Sequence, residues 1–240
     1  MTLLLLAGTA EARAIATALQ GQGVIASLAG ATRDPSPLPV PVHTGGFGGE
    51  AGFREFLTQH AVHAVLDATH PFAARITQRS AMICADLGLP FCQLLRPPWV
   101  AGPGDDWTEI ASEDKAAEHI PQGATVFLGT GRQTLDGFAN LTGRRVICRQ
   151  IDAPEGPFPF DGGEFLIGRP PFSVADEIAL FRRLGVDWLV VKNAGGQASA
   201  TKLVAARALR IPVLMIARPA LGDWYQVASV AAALAWVARL

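Results

Sequence analysis

The stretch LLLLAGTAEAR, residues 3–13, predicts a buried strand, a tight turn at Gly8 and a helix that Thr9 caps. Such a turn is where a doubly wound sheet presents backbone N–H groups and the positive end of a helix to a pyrophosphate. We therefore take Gly8, Thr9 and Ala10 as candidate cofactor-binding residues. Because the full G-x-G-x-x-G pattern is absent, an ordinary strand-to-helix turn is the alternative.

Short apolar runs alternate with stretches of helical periodicity along the rest of the chain, which is typical of a parallel sheet covered by helices on both faces. The predicted strands are Leu3–Ala7, Val24–Leu28, Val40–His43, Ala64–Asp67, Phe91–Leu95, Thr125–Leu128, Val146–Gln150, Trp188–Lys192 and Val213–Ile216. The predicted helices are Glu11–Gln20, Glu50–His60, Phe72–Leu87, Asp114–His119, Val174–Leu184, Thr201–Leu209 and Val227–Arg239.

A turn-rich passage at Gly102–Asp106 interrupts this alternation and predicts a domain boundary near residue 97. We expect residues 1–96 to form a dinucleotide-binding α/β domain, and residues 97–240 to form a second α/β domain that completes the substrate cleft. The expected fold is thus α/β, with two Rossmann-like domains whose mainly parallel sheets face a shared cleft.

The composition limits the class of protein. Half of the 240 residues are hydrophobic and 17% are charged, which predicts a packed globular protein. With 20 basic and 21 acidic residues, no global field attracts nucleic acid or an anionic membrane. Three scattered cysteines indicate buried thiols in a reducing compartment, and charges soon follow the leucine run, so we expect a soluble cytoplasmic protein without a signal peptide.

The end of the second predicted strand, about twenty residues after the first turn, carries Gly30, Thr32 and Arg33. An NAD-specific fold places an acid here to bind the ribose 2′-hydroxyl, whereas an arginine accommodates a 2′-phosphate. These three residues therefore favour NADP over NAD as the cofactor. A solvated loop arginine is the alternative.

The string DATHPFA, residues 67–73, follows the fourth predicted strand, at the edge where open α/β sheets bind ligands. Pro71 suits the first position of a helix and makes the segment a rigid turn. Asp67, Ala68 and Thr69 are candidate cofactor-binding residues, and His70 is a candidate catalytic residue because its side chain titrates near neutrality. In the alternative, Thr69 or His70 merely caps the following helix.

Two further glycine turns, GTGRQ at 129–133 and KNAGG at 192–196, follow predicted strands of the second half. Each carries a cation at a strand end, which suits the binding of carboxylates, although ordinary turns would look similar. No metal-ligand spacing, G-x-S-x-G elbow or P-loop occurs, so hydrolase and NTPase functions lose support and no metal is expected. The candidate residues for a substrate here are Thr130, Arg132, Lys192, Asn193, Gly195, Gly196 and Lys202.

Together, GTAEAR at 8–13, DATHPFA at 67–73, KNAGG at 192–196 and the run from IPV at 211–213 to Arg218-Pro219 resemble the precorrin-6A reductase family over essentially the whole chain. The resemblance implies reduction of a C18=C19 double bond of precorrin-6A to give precorrin-6B in cobalamin biosynthesis. The hydride would pass from NADPH to C19 and a proton to C18. It leaves open whether the substrate carries cobalt, and whether the product is handed to other pathway enzymes.

The resemblance also gives roles to individual residues. Phe72 and a set of cations would bind the macrocycle and its acetates and propionates: Arg13, Arg75, Arg132, Lys192 and Lys202. Bound water, His70 or Lys192 could supply the proton. Two other functions stay open at this point, an S-adenosylmethionine-dependent methyltransferase of the same pathway and a non-catalytic dinucleotide sensor. Arg33 argues against the methyltransferase, which should have an acid at that position.

Overall fold

The structure, a computed structural model, describes residues 1–30, 36–220 and 222–240 and divides into two compact units. The first unit consists of Met1–Pro97 together with Pro219–Leu240, and the second is Pro98–Arg218. The division therefore differs from the expected one at the C-terminal end, because the last strand and helix join the first sheet and its core rather than the second domain.

The described residues form twelve strands, six α-helices and two 3-10 helices. The strands are β1 Thr2–Leu6, β2 Val24–Leu28, β3 Val42–Thr44, β4 Val62–Asp67, β5 Phe91–Leu94, β6 Trp107–Ile110, β7 Thr125–Leu128, β8 Arg145–Gln150, β9 Gly163–Ile167, β10 Trp188–Lys192, β11 Val213–Ile216 and β12 Gln226–Val227. The α-helices are α1 Ala10–Ala18, α2 Gly49–Gln59, α3 Ala74–Leu87, α4 Val174–Leu184, α5 Thr201–Leu209 and α6 Val230–Val237. The 3-10 helices span Glu113–Glu118 and Arg132–Phe138.

Each unit contains one six-stranded sheet, and every strand pair in both sheets is parallel. The order is β3-β2-β1-β4-β5-β12 in the first sheet and β9-β8-β7-β10-β11-β6 in the second. Both are the doubly wound order, in which the direction of winding reverses between the first and fourth strands. The α/β, parallel-sheet fold predicted from the sequence is confirmed.

The sixth strand of each sheet comes from an unexpected part of the chain. β6 follows β5 in sequence but pairs with β11, whereas β12 follows β11 in sequence but pairs with β5. The chain therefore leaves the first unit before its sheet is complete and returns only after the second sheet has been built.

The leucine run of β1 shows why the first sheet forms. Leu3 and Leu5 pack on one face of the sheet with α1 and α6, while Leu4 and Leu6 pack on the other face with α2 and α3. All four side chains are at most 2% exposed. A central strand that is buried on both faces needs no alternation of polar residues, and each buried leucine contributes about 1.5–3 kcal/mol.

Helices α4 and α5 pack against the second sheet. Leu189 and Val191 of β10 lie in one cluster with Phe181 of α4 and Leu203 of α5. None of the helices in the described ranges is both long and apolar enough to cross a bilayer.

Candidate functional site

The winding of the first sheet reverses at the turns that follow β1 and β4. Gly8 adopts φ +122°, a conformation that favours glycine, and a Cβ placed there would meet no atom within 4 Å. Thr9 Oγ1 donates to the carbonyl of Ala68 at 2.7 Å and accepts from the N–H of Ala12 at 3.1 Å. One hydroxyl therefore caps α1 and ties the two turns together.

Asp67 shapes the turn after β4 from inside the protein. Its side chain is fully buried, and its two oxygens accept from the N–H of Thr69 at 2.9 Å and from Oγ1 of Thr77 at 2.5 Å. Burial raises the pKa of Asp67, and the hydrogen bonds from Thr77 and Thr69 oppose that rise. Asp67 and Ala68, which is 1% exposed, thus have almost no side-chain surface with which to touch a cofactor, whereas Thr69 is partly exposed.

His70 is exposed, and its Nδ1 accepts from the N–H of Phe72 at 3.3 Å. Next to this turn lies a pocket of about 280 Å³ whose lining includes Pro71, Thr77, Gln93 and Trp224. Gln93 Oε1 accepts from Trp224 Nε1 at 2.7 Å. Sequence reasoning missed this pocket, although a glutamine inside the buried strand FCQL is an unusual residue that could have signalled it.

The other residues predicted for the first unit lie around this edge. Arg13 donates to the carbonyls of Pro37 and Ser36, at 2.6 and 3.0 Å, and so holds the segment that precedes β3. Arg75 is exposed in the first turn of α3, and Gly30, two residues after β2, has φ +75°. The predicted residues Thr32 and Arg33 lie outside the described part of the chain.

The second sheet reverses at the turns after β7 and β10, where the predicted residues are charged. Lys192 ends β10 and donates to Thr134 Oγ1 at 2.9 Å, and its Nζ lies 3.5 Å from Glu113 Oε1. Burial lowers the pKa of Lys192, and the charge of Glu113 opposes that change. Arg132 begins a 3-10 helix after Gly131, and Thr130 Oγ1 lies 3.4 Å from the carbonyl of Gly131.

The turn after β10 fixes an aromatic side chain. Asn193 accepts from the N–H of Trp99 at 2.8 Å and donates to its carbonyl at 3.1 Å. The indole N–H of Trp99 donates to the carbonyl of Gly196, and both Gly195 and Gly196 have positive φ. Asn193, predicted as a substrate ligand, thus uses its amide to hold Trp99 against the turn.

Lys202 of α5 reaches the same region. Its Nζ donates to the carbonyl of Ser199 at 2.6 Å and lies 5.8 Å from the centre of the Trp99 ring. Nearby, Arg149 and Glu177 form a two-pronged ion pair at 2.8 Å that sequence reasoning missed. Among the residues described, no cluster of His, Cys, Asp and Glu could hold a metal ion.

Two doubly wound parallel sheets, each with polar turns where its winding reverses, define a doubly wound α/β protein. The chain matches the family described as precorrin-6x reductase CbiJ/CobK over residues 2–238, and it belongs to that family. The resemblance predicted from the motifs is therefore confirmed. Membership of a reductase family argues against the methyltransferase and the sensor.

Individual relatives match nearly the full length of this chain. A precorrin-6A reductase of Rhodococcus erythropolis is 47% identical, covering 99% of this chain and 98% of the relative. One from Rhodobacter capsulatus is 40% identical, covering 98% and 95%. A solved structure of CobK precorrin-6A reductase has a TM-score of 0.95 at 40% identity, covering 100% of this chain and 97% of that one.

Proposed function

We propose that this protein is a cytoplasmic precorrin-6A reductase of cobalamin biosynthesis that uses NADPH to reduce the C18=C19 bond and gives precorrin-6B. The observation that carries the proposal is the 47% identity to a precorrin-6A reductase over nearly the full length of both chains. The geometry of the first unit supports it, because two joined turns lie where a doubly wound sheet binds a dinucleotide.

The residues of the first unit fit a dinucleotide. The open space above Gly8 lets a pyrophosphate approach the backbone N–H groups at the start of α1. Arg33 would pair with the 2′-phosphate, and Gly30 and Thr32 are proposed to bind the same part of the cofactor. The neutral pocket at Pro71, Gln93 and Trp224 suits an uncharged ring that carries a carboxamide. NADPH would supply the hydride.

The second unit would hold the macrocycle. A ring with several acetates and propionates needs distributed cations and N–H donors, and the turns after β7 and β10 offer both. The proposed anchors for the macrocycle there are Arg132, Lys202 and the backbone at Gly195 and Gly196. The residues of the first unit proposed to bind the macrocycle are Arg13, Phe72 and Arg75. The proton donor predicted from the sequence was bound water, His70 or Lys192, and Lys192 donates to Thr134 Oγ1.

The proposed reaction is tested by mixing the purified protein with NADPH and precorrin-6A while nicotinamide and macrocycle absorbance are followed together. We expect one NADPH to be oxidised for each macrocycle reduced. Absence of oxidation with fresh precorrin-6A would contradict the proposal.

The cofactor preference is tested by binding. We expect NADPH to raise the melting temperature much more than NADH or S-adenosylmethionine, and Arg33→Ala to erase the preference by weakening NADPH about 10–100-fold, as loss of a charged hydrogen bond predicts. Arg54→Ala is the matched control, because Arg54 pairs with Glu50 and Asp86 on the surface of the same unit. Equal shifts with NADPH and NADH would remove the argument for NADP.

A further inference from the structure

Lys202 is one of only three lysines in the sequence, with Lys115 and Lys192. It lies in the first turn of α5, and its aliphatic stem crosses Gly129, the residue that follows β7. A Cβ on Gly129 would lie only 3.3 Å from Lys202 Cδ, so the glycine makes room for the stem. The ammonium group is thereby placed at the reversal point of the second sheet, and the residue keeps part of its surface exposed.

The charged groups that act on Lys202 are Arg149 of β8 and Glu177 of α4. Both oxygens of Glu177 accept from Arg149, and the two side chains are only 1% and 8% exposed. The ammonium of Lys202 donates to the carbonyl of Ser199. Burial and the positive charge of Arg149 lower the pKa of Lys202 to about 8, and Glu177 opposes this change.

The other two lysines have different surroundings. Lys192 binds the hydroxyl of Thr134 and faces Glu113, which occupies its ammonium group. Lys115 is exposed and pairs with Glu118 at 2.7 Å, which raises its pKa. Lys202 combines a position at the reversal point with a backbone carbonyl as its hydrogen-bond acceptor.

We propose that Lys202 is the general acid that protonates the macrocycle during reduction. This inference rests on the proposed function. The hydride forms the new C–H bond at C19, the electron pair of the C18=C19 bond takes a proton from Nζ of Lys202 at C18, and the neutral amine regains its proton from water. An acid whose pKa is near the working pH is both protonated and able to donate, which is the condition for efficient general acid catalysis.

Lys202→Arg separates this role from the binding of a substrate carboxylate. Arginine keeps the positive charge but does not release a proton in proteins, so a carboxylate anchor is preserved and a proton donor is lost. We expect single-turnover reduction in Lys202→Arg to be about 100-fold slower than in the wild type, in the range that general acids contribute, with little change in substrate affinity. Lys202→Met, which keeps the stem, should lose both rate and affinity.

The pH dependence gives the second readout. In the wild type, the single-turnover rate should fall as pH rises through about 8, because the ammonium form is lost. This limb should be absent from Lys202→Arg. Lys115→Arg is the matched control and should keep both the rate and the limb, and thermal unfolding should confirm that all variants are folded.

A third readout needs neither cofactor nor substrate. In protein labelled with carbon-13 at the lysine ε-carbons, three signals are expected, and the arginine variants assign them. The signal that disappears in Lys202→Arg should titrate near pH 8, and that of Lys115 above its ordinary value of 10.5.

Two results would overturn the inference: an unchanged rate and pH limb in Lys202→Arg, or a Lys202 signal that titrates at the ordinary lysine value. Failure of the proposed function is distinguishable, because the wild-type protein would then oxidise no NADPH with precorrin-6A.

Discussion

The two sheets have the same strand order but differ in the side chains that lie at the point where that order reverses. In the first, the hydroxyl of Thr9 joins the turns, the buried carboxyl of Asp67 is turned inward, and Arg96 pairs with the partly exposed Glu11. In the second, charged groups lie around the equivalent reversal point: Lys192, Lys202 and the Arg149–Glu177 pair. A shared topology thus provides an edge for ligands, and the side chains decide which ligand it suits.

The difference between the two reversal points also affects the stability of the two units. A buried neutral hydrogen bond costs little to maintain, whereas a buried ion pair is stable only while both partners are present. The second reversal point should therefore respond more strongly to the loss of a single group than the first.

The largest loss of stability is expected from Glu177→Ala. This change leaves the guanidinium of Arg149 buried without its carboxylate and should lower the unfolding free energy of the second unit by about 3–5 kcal/mol. Urea unfolding followed by tryptophan fluorescence measures it. The matched control is Arg149→Met combined with Glu177→Leu, which removes both charges and should cost much less. A loss below about 1 kcal/mol in Glu177→Ala would mean that the pair is already well solvated.

A smaller effect is expected from Thr9→Val, which keeps the shape of the side chain but removes the cap of α1 and the bond to Ala68. We expect a loss of about 1–2 kcal/mol from the first unit. The matched control is Thr130→Val at the equivalent place in the second sheet. Its hydroxyl makes only a 3.4 Å contact with Gly131, so the change should stay within about 0.5 kcal/mol. Equal losses would contradict the contrast between the two turns.

The smallest effect on stability is expected from Asp67→Asn at acidic pH, where Asp67 is protonated in both the folded and the unfolded protein, because asparagine can keep the bonds to Thr69 and Thr77. The informative measurement for this variant is the pH dependence of its free energy of unfolding. The raised pKa means that the folded protein binds this proton more tightly than the unfolded chain, so wild-type stability falls as pH rises from about 3.8 through the folded value. The asparagine variant should therefore gain stability relative to the wild type between pH 4 and 8. A constant difference, measured by urea unfolding across that range, would rule out the raised pKa.

Much of the fold could be predicted from local sequence patterns. Val24–Leu28, Thr125–Leu128, Trp188–Lys192 and Val213–Ile216 are strands with the predicted bounds, because apolar runs between turns fit few other structures.

Three strands were missed. β6 follows a turn-rich passage that was interpreted as a linker, β9 begins at a glycine, and β12 has only two residues. The helix predicted from Val227 begins at Val230, where Ser229 caps it. These elements depend on a neighbouring strand or a cap rather than on their own periodicity.

The candidate site likewise has parts that follow from local sequence patterns and parts that depend on the fold. Gly8 and the turn of residues 67–73 could be predicted because strand, glycine and helix follow one another directly in the sequence. Arg149 with Glu177, and Gln93 with Trp224, are pairs that only the fold brings together, and no spacing rule connects them. The sequence could therefore indicate the turns at the reversal point of the first sheet, but not what holds the charged groups of the second.

The return of the chain to its first sheet has a consequence for synthesis in the cell. A ribosome makes β6 to β11 before it makes β12, so the half of the protein that is translated first must wait for the last residues to acquire its outermost strand. Until then β5 presents a bare edge that can pair with other chains. A premature stop before residue 226 would thus damage the part of the enzyme that was made earliest.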